Sequence, residues 1–167
     1  VLLNMFFGVL LNAAMGVVNQ VYAVFSRMFL NLHAAFRPQI MQNAATDKGR
    51  YDNLLNICTF YTILLMGLLC TPMIVGCNSI LTIWLGMVPD YAVLFVQLMM
   101  IKVLIAAVTQ CFNITIEAFA KLKASMIASI IISVIVVIVT YFILKMGLHP
   151  AWAIIMLIIS EIGYLLY

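Results

Sequence analysis

The sequence predicts an all-α, polytopic bundle of membrane-spanning helices. Of the 167 residues, 67% are hydrophobic and 8% are charged, and the mean hydropathy is +1.24. Soluble domains are about 25% charged, so this chain has too few charges to cover a surface that faces water. Its apolar runs are mostly of helix length and are separated by short polar turns, and no strand-length alternation supports a β-barrel. A lipid bilayer is therefore the expected environment.

The polar turns divide the chain into about six helices that form a single transmembrane bundle over residues 1–167. The expected helices span residues 1–11, 12–45, 52–76, 92–119, 124–146 and 151–167. Gly8 and Asn12 mark the first break, and Pro38 is expected either to kink the second helix or to restart it. The first and last helices stop within apolar sequence, and the first residue is Val1. We therefore expect both to be truncated and the chain to be part of a longer protein.

The segment of residues 77–91, CNSILTIWLGMVPDY, is expected to connect two helices at the membrane surface. It contains Gly86 and Pro89, which disfavour a long helix. Trp84 and Tyr91 are aromatic residues of the kind that collect at membrane–water interfaces. The segment is therefore predicted to be irregular or a short amphipathic helix, with Trp84 at the level of the headgroups.

The distribution of basic residues predicts the orientation in the membrane. The turns after the second and fourth expected helices contain Lys48, Arg50, Lys121 and Lys123. The turns at the opposite side, WLGMVPDY and GLHP, offer Asp90, His149 and the neighbouring Lys145. Cytoplasmic loops are enriched in lysine and arginine, so the turns after the second and fourth expected helices are predicted to face the cytoplasm.

The sequence contains no recognisable enzyme motif, and we expect no catalytic activity, no cofactor and no bound metal. Nucleophile elbows, zinc-protease motifs, phosphate-binding loops and dinucleotide fingerprints are all missing from it. His33 and His149 have no metal-ligand partner at a useful spacing. Cys58, Cys70 and Cys111, like Cys77, are interpreted as packing residues. The net charge of +3 reflects membrane sidedness and does not indicate nucleic-acid binding.

Two helices carry polar stripes at helical spacing, and a third carries a carboxylate. The stripes consist of Gln20, Arg27 and Asn31 on the second expected helix, and Lys102, Thr109, Asn113 and Glu117 on the fourth. Counted from the outer turns, Arg27, Lys102 and Glu161 lie roughly 22, 15 and 16 Å deep at 1.5 Å per residue. Three charges are thus expected near the middle of the bilayer.

This placement allows two interpretations, because a charge in lipid is costly unless it is hydrated or paired. In the first, Arg27 and Lys102 bind an anionic substrate in a cavity lined by Gln20, Asn31, Thr109 and Asn113, and Glu161 is a counter-ion or a coupling-ion site. In the second, Glu161 is a structural partner of Lys102 or Arg27. A further row of small residues, Ser125, Ala128, Ser129 and Ser133, is predicted to be a helix-packing seam.

The order of these motifs resembles the second half of O-antigen and polysaccharide flippases, which belong to the multidrug/oligosaccharidyl-lipid/polysaccharide exporter superfamily. The similarity begins with NAAMGVVNQVYAVFSRMFLNLHAAFRPQIMQNAATDKG and continues with ILTIWLGMVPDYAVLFVQL. Within it lie Arg37-Pro38-Gln39-Ile40, the small polar turn after Ala44-Ala45, and Trp84-Leu85-Gly86 followed by Pro89 and Tyr91. The resemblance covers nearly the whole chain.

The resemblance implies one lobe of a flippase of twelve or more helices in the bacterial inner membrane. Such proteins use alternating access to move undecaprenyl-pyrophosphate-linked oligosaccharides across that membrane for surface polysaccharide synthesis. The implied partners are the lipid-linked oligosaccharide, membrane lipids, and protons or sodium ions. Cationic side chains would suit the pyrophosphate, although the resemblance assigns no individual site residue.

Two other classes remain open from the sequence. A multidrug or peptidoglycan-precursor exporter of the same superfamily would share the fold, and a multidrug exporter should have more acidic residues in its cavity. A membrane-embedded glycan polymerase or acyltransferase would need a catalytic histidine, aspartate or serine set, or a large outer loop.

Overall fold

The computed structural model describes residues 2–118 and 122–166, with side chains for 11–44, 46–117 and 125–165. The described residues form helices and connecting turns, without a strand among them. The helices are α1 (Leu2–Thr46), α2 (Lys48–Val75), α3 (Cys77–Leu85), α4 (Ala92–Ala118), α5 (Leu122–Lys145) and α6 (Ala151–Leu166). The predicted all-α class is confirmed.

α1 is one continuous helix of 45 residues where two helices were expected. It passes through Gly8, Asn12 and Pro38 without a break. A glycine or asparagine inside a helix costs at most about 1 kcal/mol, which is too little to stop a long apolar helix. Proline costs about 3 kcal/mol, but α1 continues beyond it to Ile40, which is completely buried against α2 and α4.

The turns at the two ends of α2 have local chemical causes. The Asp47 carboxylate accepts a hydrogen bond from the Arg50 backbone N–H at 3.0 Å, and this cap starts the helix at Lys48, before the predicted residue 52. α2 ends at Val75, one residue before Gly76. The short helix α3 then occupies most of the predicted surface connector, and its Trp84 is 51% exposed.

Three of the described helices are long and apolar enough to cross a membrane. Their spans are Lys48–Val75, Ala92–Glu117 and Ser125–Lys145, and a shorter apolar helix covers Ala151–Leu165. The last of the three spans also has many exposed aliphatic side chains, such as Ile130, Ile135 and Val137. Because water would disfavour such a surface, the chain is a helical membrane bundle.

α4 lies at the centre of the bundle, where it contacts α1, α2 and α6. α1 runs parallel to α4, since Tyr22 contacts Lys102 and, fifteen residues further along both helices, Arg37 pairs with Glu117. α2 is antiparallel to α4, with the Gln97 amide donating to the Ile74 carbonyl at 2.9 Å. A buried core of apolar residues from α1, α2, α3 and α6 surrounds the N-terminal half of α4.

The turn before α4 and the turn before α6 meet at Tyr91. This residue has a positive φ of 67°, and its ring packs edge-on against His149, with ring centroids 5.2 Å apart. The Nδ1 atom of His149 accepts a hydrogen bond from the Ala151 backbone N–H at 3.2 Å, which helps to start α6. Of the two basic turns used to predict the orientation, the second lies outside what the structure describes, because Lys121 and the side chain of Lys123 fall in the gap.

Candidate functional site: a charged pair beside a polar cavity

Lys102 and Glu161 form an ion pair inside the bundle. The Lys102 ammonium lies 2.9 Å from a Glu161 carboxylate oxygen, and the two side chains are only 11% and 16% exposed. Each residue is ten positions from the N-terminal end of its helix, Ala92 or Ala151, which is about 15 Å at 1.5 Å per residue. Lys102 and Glu161, which the sequence predicted at similar depth in the bilayer, are therefore in direct contact.

Tyr22 of α1 completes the surroundings of the Lys102 ammonium. The Lys102 Nζ donates to the Tyr22 hydroxyl at 3.5 Å and lies 4.9 Å from the centre of the tyrosine ring. The ring face adds a favourable cation–π contact. Lys102 is therefore held by groups from two other helices, α1 and α6.

A cavity of about 550 Å³ opens beside this pair, between α1, α4, α5 and α6. Glu161 lines it directly, together with apolar residues such as Phe29 and Ile132. The polar part of its described lining consists of hydroxyl, amide and carboxylate groups: Tyr22, Ser26, Thr109, Gln110, Asn113, Ser125, Ser129, Ser133, Glu161 and Tyr164. Such a wall offers hydrogen bonds to a neutral polar ligand within a helical membrane bundle.

The small residues of α5 face this cavity. Ser125, Ala128, Ser129 and Ser133, which the sequence suggested as a packing seam, all belong to its lining. Ser133 and Tyr164 exchange a hydroxyl–hydroxyl hydrogen bond of 2.7 Å, so the same row also fixes α5 against α6. Their small side chains leave the volume that larger residues would fill.

The structure divides the predicted site residues into two groups. Lys102 and Glu161 form the pair, and Thr109 and Asn113 line the cavity beside it. Gln20, Arg27 and Asn31 share one face of α1 as their spacing predicted, but that face is exposed and none of the three is in the described lining. The structure thus does not place Arg27 in one cavity with Lys102 and Glu161.

Glu117, the last member of the α4 stripe, forms a second ion pair at the inner end. Its carboxylate lies 2.7 Å from the Arg37 guanidinium, whose side chain is 54% exposed. A pair of this exposure contributes about 0–1 kcal/mol. Neither Arg37 nor Glu117 belongs to the described lining of the cavity, and the pair joins α1 to the C-terminal end of α4.

Sequence reasoning missed one polar cluster entirely. His33, Cys58 and Cys111, from α1, α2 and α4, are buried and lie close together. Their separations along the chain match no metal motif, so only the packing of three helices brings them into contact. The sequence offered one partial signal, the seven-residue spacing that places Ser26 and His33 on one face of a helix, and the structure shows that this face is buried.

These features define the class of protein: a helical membrane bundle that carries a charged pair and a polar cavity in its interior. Comparison with protein-family models, with curated proteins and with solved structures finds no match for this chain. The chemistry of this site and the resemblance in the sequence are therefore the two indications of its function.

Proposed function

We propose that the chain is one lobe of a flippase that moves an undecaprenyl-pyrophosphate-linked oligosaccharide across the bacterial inner membrane by alternating access. The observation that carries the proposal is the polar cavity beside Lys102 and Glu161, within a bundle whose outer surface is suited to lipid. The proposal assigns a transport role and no catalytic one.

The cavity wall suits a sugar. Serine, threonine and amide side chains donate and accept hydrogen bonds in the same way as sugar hydroxyls. Thr109, Asn113 and Ser133 supply such groups from two helices. The neighbouring aromatic rings of Tyr22, Phe29 and Tyr164 provide flat apolar surfaces for the faces of sugar rings.

The Lys102 ammonium suits the pyrophosphate, and Glu161 neutralises the charge of Lys102 when the cavity is empty. An arriving anion would compete with Glu161 for the Lys102 ammonium, at charge-assisted hydrogen-bond strength. Proton or sodium binding at Glu161 would release Lys102 for the anion. Substrate binding in the cavity and coupling-ion binding at Glu161 would then be linked, because both break the Lys102–Glu161 contact of 2.9 Å.

The exposed polar face of α1 has a place in the same proposal. Gln20, Arg27 and Asn31 lie on one exposed face, where charge facing lipid would be expensive. The second lobe that the resemblance implies would cover this face and make it a wall of the central pathway. Arg27 would then be a second contact for the anionic lipid, at a separate point from Lys102.

A second candidate, a cation-coupled multidrug exporter of the same superfamily, is favoured by one observation. Glu161 is a carboxylate that lines the cavity directly, and acidic residues are the expected contacts of cationic drugs. The two candidates differ in the sign of the ligand charge, and therefore in whether Lys102 or Glu161 makes the principal contact.

The test is complementation of a flippase-deficient bacterial strain with the full-length protein, measured as surface polysaccharide at matched membrane abundance. Lys102→Gln should lower transport about 10- to 100-fold, the equivalent of about 1.5–3 kcal/mol for a hydrogen bond to a charged group. Lys145→Gln, at the exposed end of α5, is the matched control and should keep full transport. Full transport by the Arg27→Gln, Lys102→Gln double variant would refute the anion-binding role, and drug resistance without polysaccharide export would favour the second candidate.

A further inference from the structure

The cluster of His33, Cys58 and Cys111 has the composition of a metal site and is separate from the cavity. The three side chains are 3%, 0% and 2% exposed. Their ligand atoms, one imidazole nitrogen and two thiol sulfurs, all lie within 4.8 Å of one another. Each comes from a different helix of the bundle, so the arrangement is a product of the tertiary structure.

The contacts that His33 makes in the cluster are one hydrogen bond to a hydroxyl and one weak contact to a thiol. The His33 Nε2 atom lies 3.3 Å from the Cys111 sulfur and 3.0 Å from the Thr62 hydroxyl. Thr62 donates its own proton to the Cys58 carbonyl at 2.7 Å. The remaining imidazole nitrogen, Nδ1, is buried without a hydrogen-bond partner among the described residues. Thiols are poor hydrogen-bonding groups, so the Thr62 hydroxyl is the one strong hydrogen-bond partner of the imidazole among the described residues, and the Cys111 sulfur is a weak one.

The separations fit a zinc ion. With Zn–S near 2.3 Å and Zn–N near 2.1 Å, ligand atoms of a tetrahedral site are about 3.5–3.8 Å apart. The distance of 3.3 Å between His33 Nε2 and the Cys111 sulfur is slightly shorter than this range. The limit of 4.8 Å on the other separations requires only a contraction of about 1 Å or less, which side-chain rotation can provide.

The charge balance selects a divalent ion. Two thiolates, one neutral imidazole and Zn²⁺ together have no net charge, which avoids the cost of a charge inside an apolar bundle. Cu⁺ with the same ligands would leave one negative charge in that environment. Binding replaces two S–H bonds with two Zn–S bonds and releases two protons to solvent, with no change in oxidation state.

We propose that His33, Cys58 and Cys111 bind one Zn²⁺ ion, with the Thr62 hydroxyl or a water molecule as the fourth ligand. The ion joins α1, α2 and α4 at one level of the bundle. Its role is to fix the mutual positions of these helices, and it does not depend on the proposed transport function. The same three helices also form the small inner core around Ile40, Tyr51 and Ile114.

The first test measures the metal content of the full-length protein, purified in detergent with a tag that contains no histidine. After zinc loading and extensive dialysis, mass spectrometry should find about one zinc per chain. Cys58→Ser and Cys111→Ser should each lower the retained zinc at least about tenfold. Cys70→Ser is the matched control, because Cys70 is equally buried on α2 and lies outside the cluster. Equal zinc content in all three variants would overturn the proposal.

A second measurement on the unaltered protein keeps the test independent of folding in the variants. Titration with Co²⁺ should produce a thiolate-to-cobalt charge-transfer band that saturates at about one ion per chain and disappears when Zn²⁺ is added. Absence of this band, together with absence of retained zinc, would overturn the proposal. A band that survives in the Cys58→Ser, Cys111→Ser double variant would assign the metal to other residues, and would also overturn it.

Discussion

Removing one partner of the Lys102–Glu161 pair should destabilise the bundle more than removing both. At 2.9 Å and an effective dielectric constant of about 20, the attraction between the two charges is about 6 kcal/mol. Much of this attraction offsets the cost of taking both charges out of water. The loss of either partner leaves the other charge buried and unpaired, which costs about 3–5 kcal/mol, whereas replacing both is close to neutral.

The experiment compares Lys102→Gln, Glu161→Gln and the double variant in detergent micelles. Unfolding by added denaturing detergent, followed by tryptophan fluorescence, gives the free energy of unfolding for each. The loss of unfolding free energy in the double variant should be smaller than the sum of the two single losses by at least about 2 kcal/mol. This difference is roughly 30-fold in the unfolding equilibrium. Arg37→Gln is the control, because its 54% exposed pair should contribute at most about 1 kcal/mol.

Either of two results would contradict a buried and coupled pair. If both single variants stayed within about 0.5 kcal/mol of the unaltered protein, the pair would not be desolvated as the structure shows. If the double variant lost the sum of the two single effects, Lys102 and Glu161 would act independently. The comparison also separates a structural pair from a transport site, since the double variant should regain stability while losing the Lys102 contact to the anion.

Two further predictions concern the placement in the membrane. In a background without native cysteines, Lys48→Cys and Lys121→Cys should be protected from a membrane-impermeant thiol reagent applied outside, and Asp90→Cys should react, because basic turns face the cytoplasm; labelling at position 48 with protection at position 90 would reverse the orientation. With Trp152 replaced by phenylalanine, lipid-attached quenchers should place Trp84 at headgroup depth, because its ring is apolar and its N–H can remain hydrated, and maximal quenching at the bilayer centre would contradict this.

The fold class and the depth of the charges could be predicted because each follows from sequence position alone. Helix-length apolar runs define the spans, and the distance from a turn defines depth at a fixed rise per residue. Lys102 and Glu161 were therefore predicted at similar depth, and their pairing was one of the two interpretations considered. The continuity of α1 was not predicted, because the weak stop signals of Gly8 and Asn12 do not outweigh cooperative helix formation.

The direction in which a polar face points could not be predicted. The spacing of Gln20, Arg27 and Asn31 correctly places them on one face of a helix, but helical periodicity does not say what that face contacts. The structure leaves this face exposed and directs Tyr22 and Ser26 to the cavity instead. The same limit explains the missed cluster, since contact between His33 and the cysteines depends on how three separate helices pack.

The polar residues of α4 explain why the bundle has one arrangement. Apolar helices in lipid can slide or rotate at little cost, because lipid and side chains are equally apolar. α4 restricts this freedom at successive levels: Gln97 binds α2, Lys102 binds α1 and α6, Cys111 contacts α1 and α2, and Glu117 binds α1. A shift by one turn, about 5.4 Å, would break several of these contacts together and leave charges unpaired in an apolar interior. The few polar side chains of this chain thus set the register of its central helix. The cavity lies beside that helix, where the small residues of α5 leave space that larger side chains would fill.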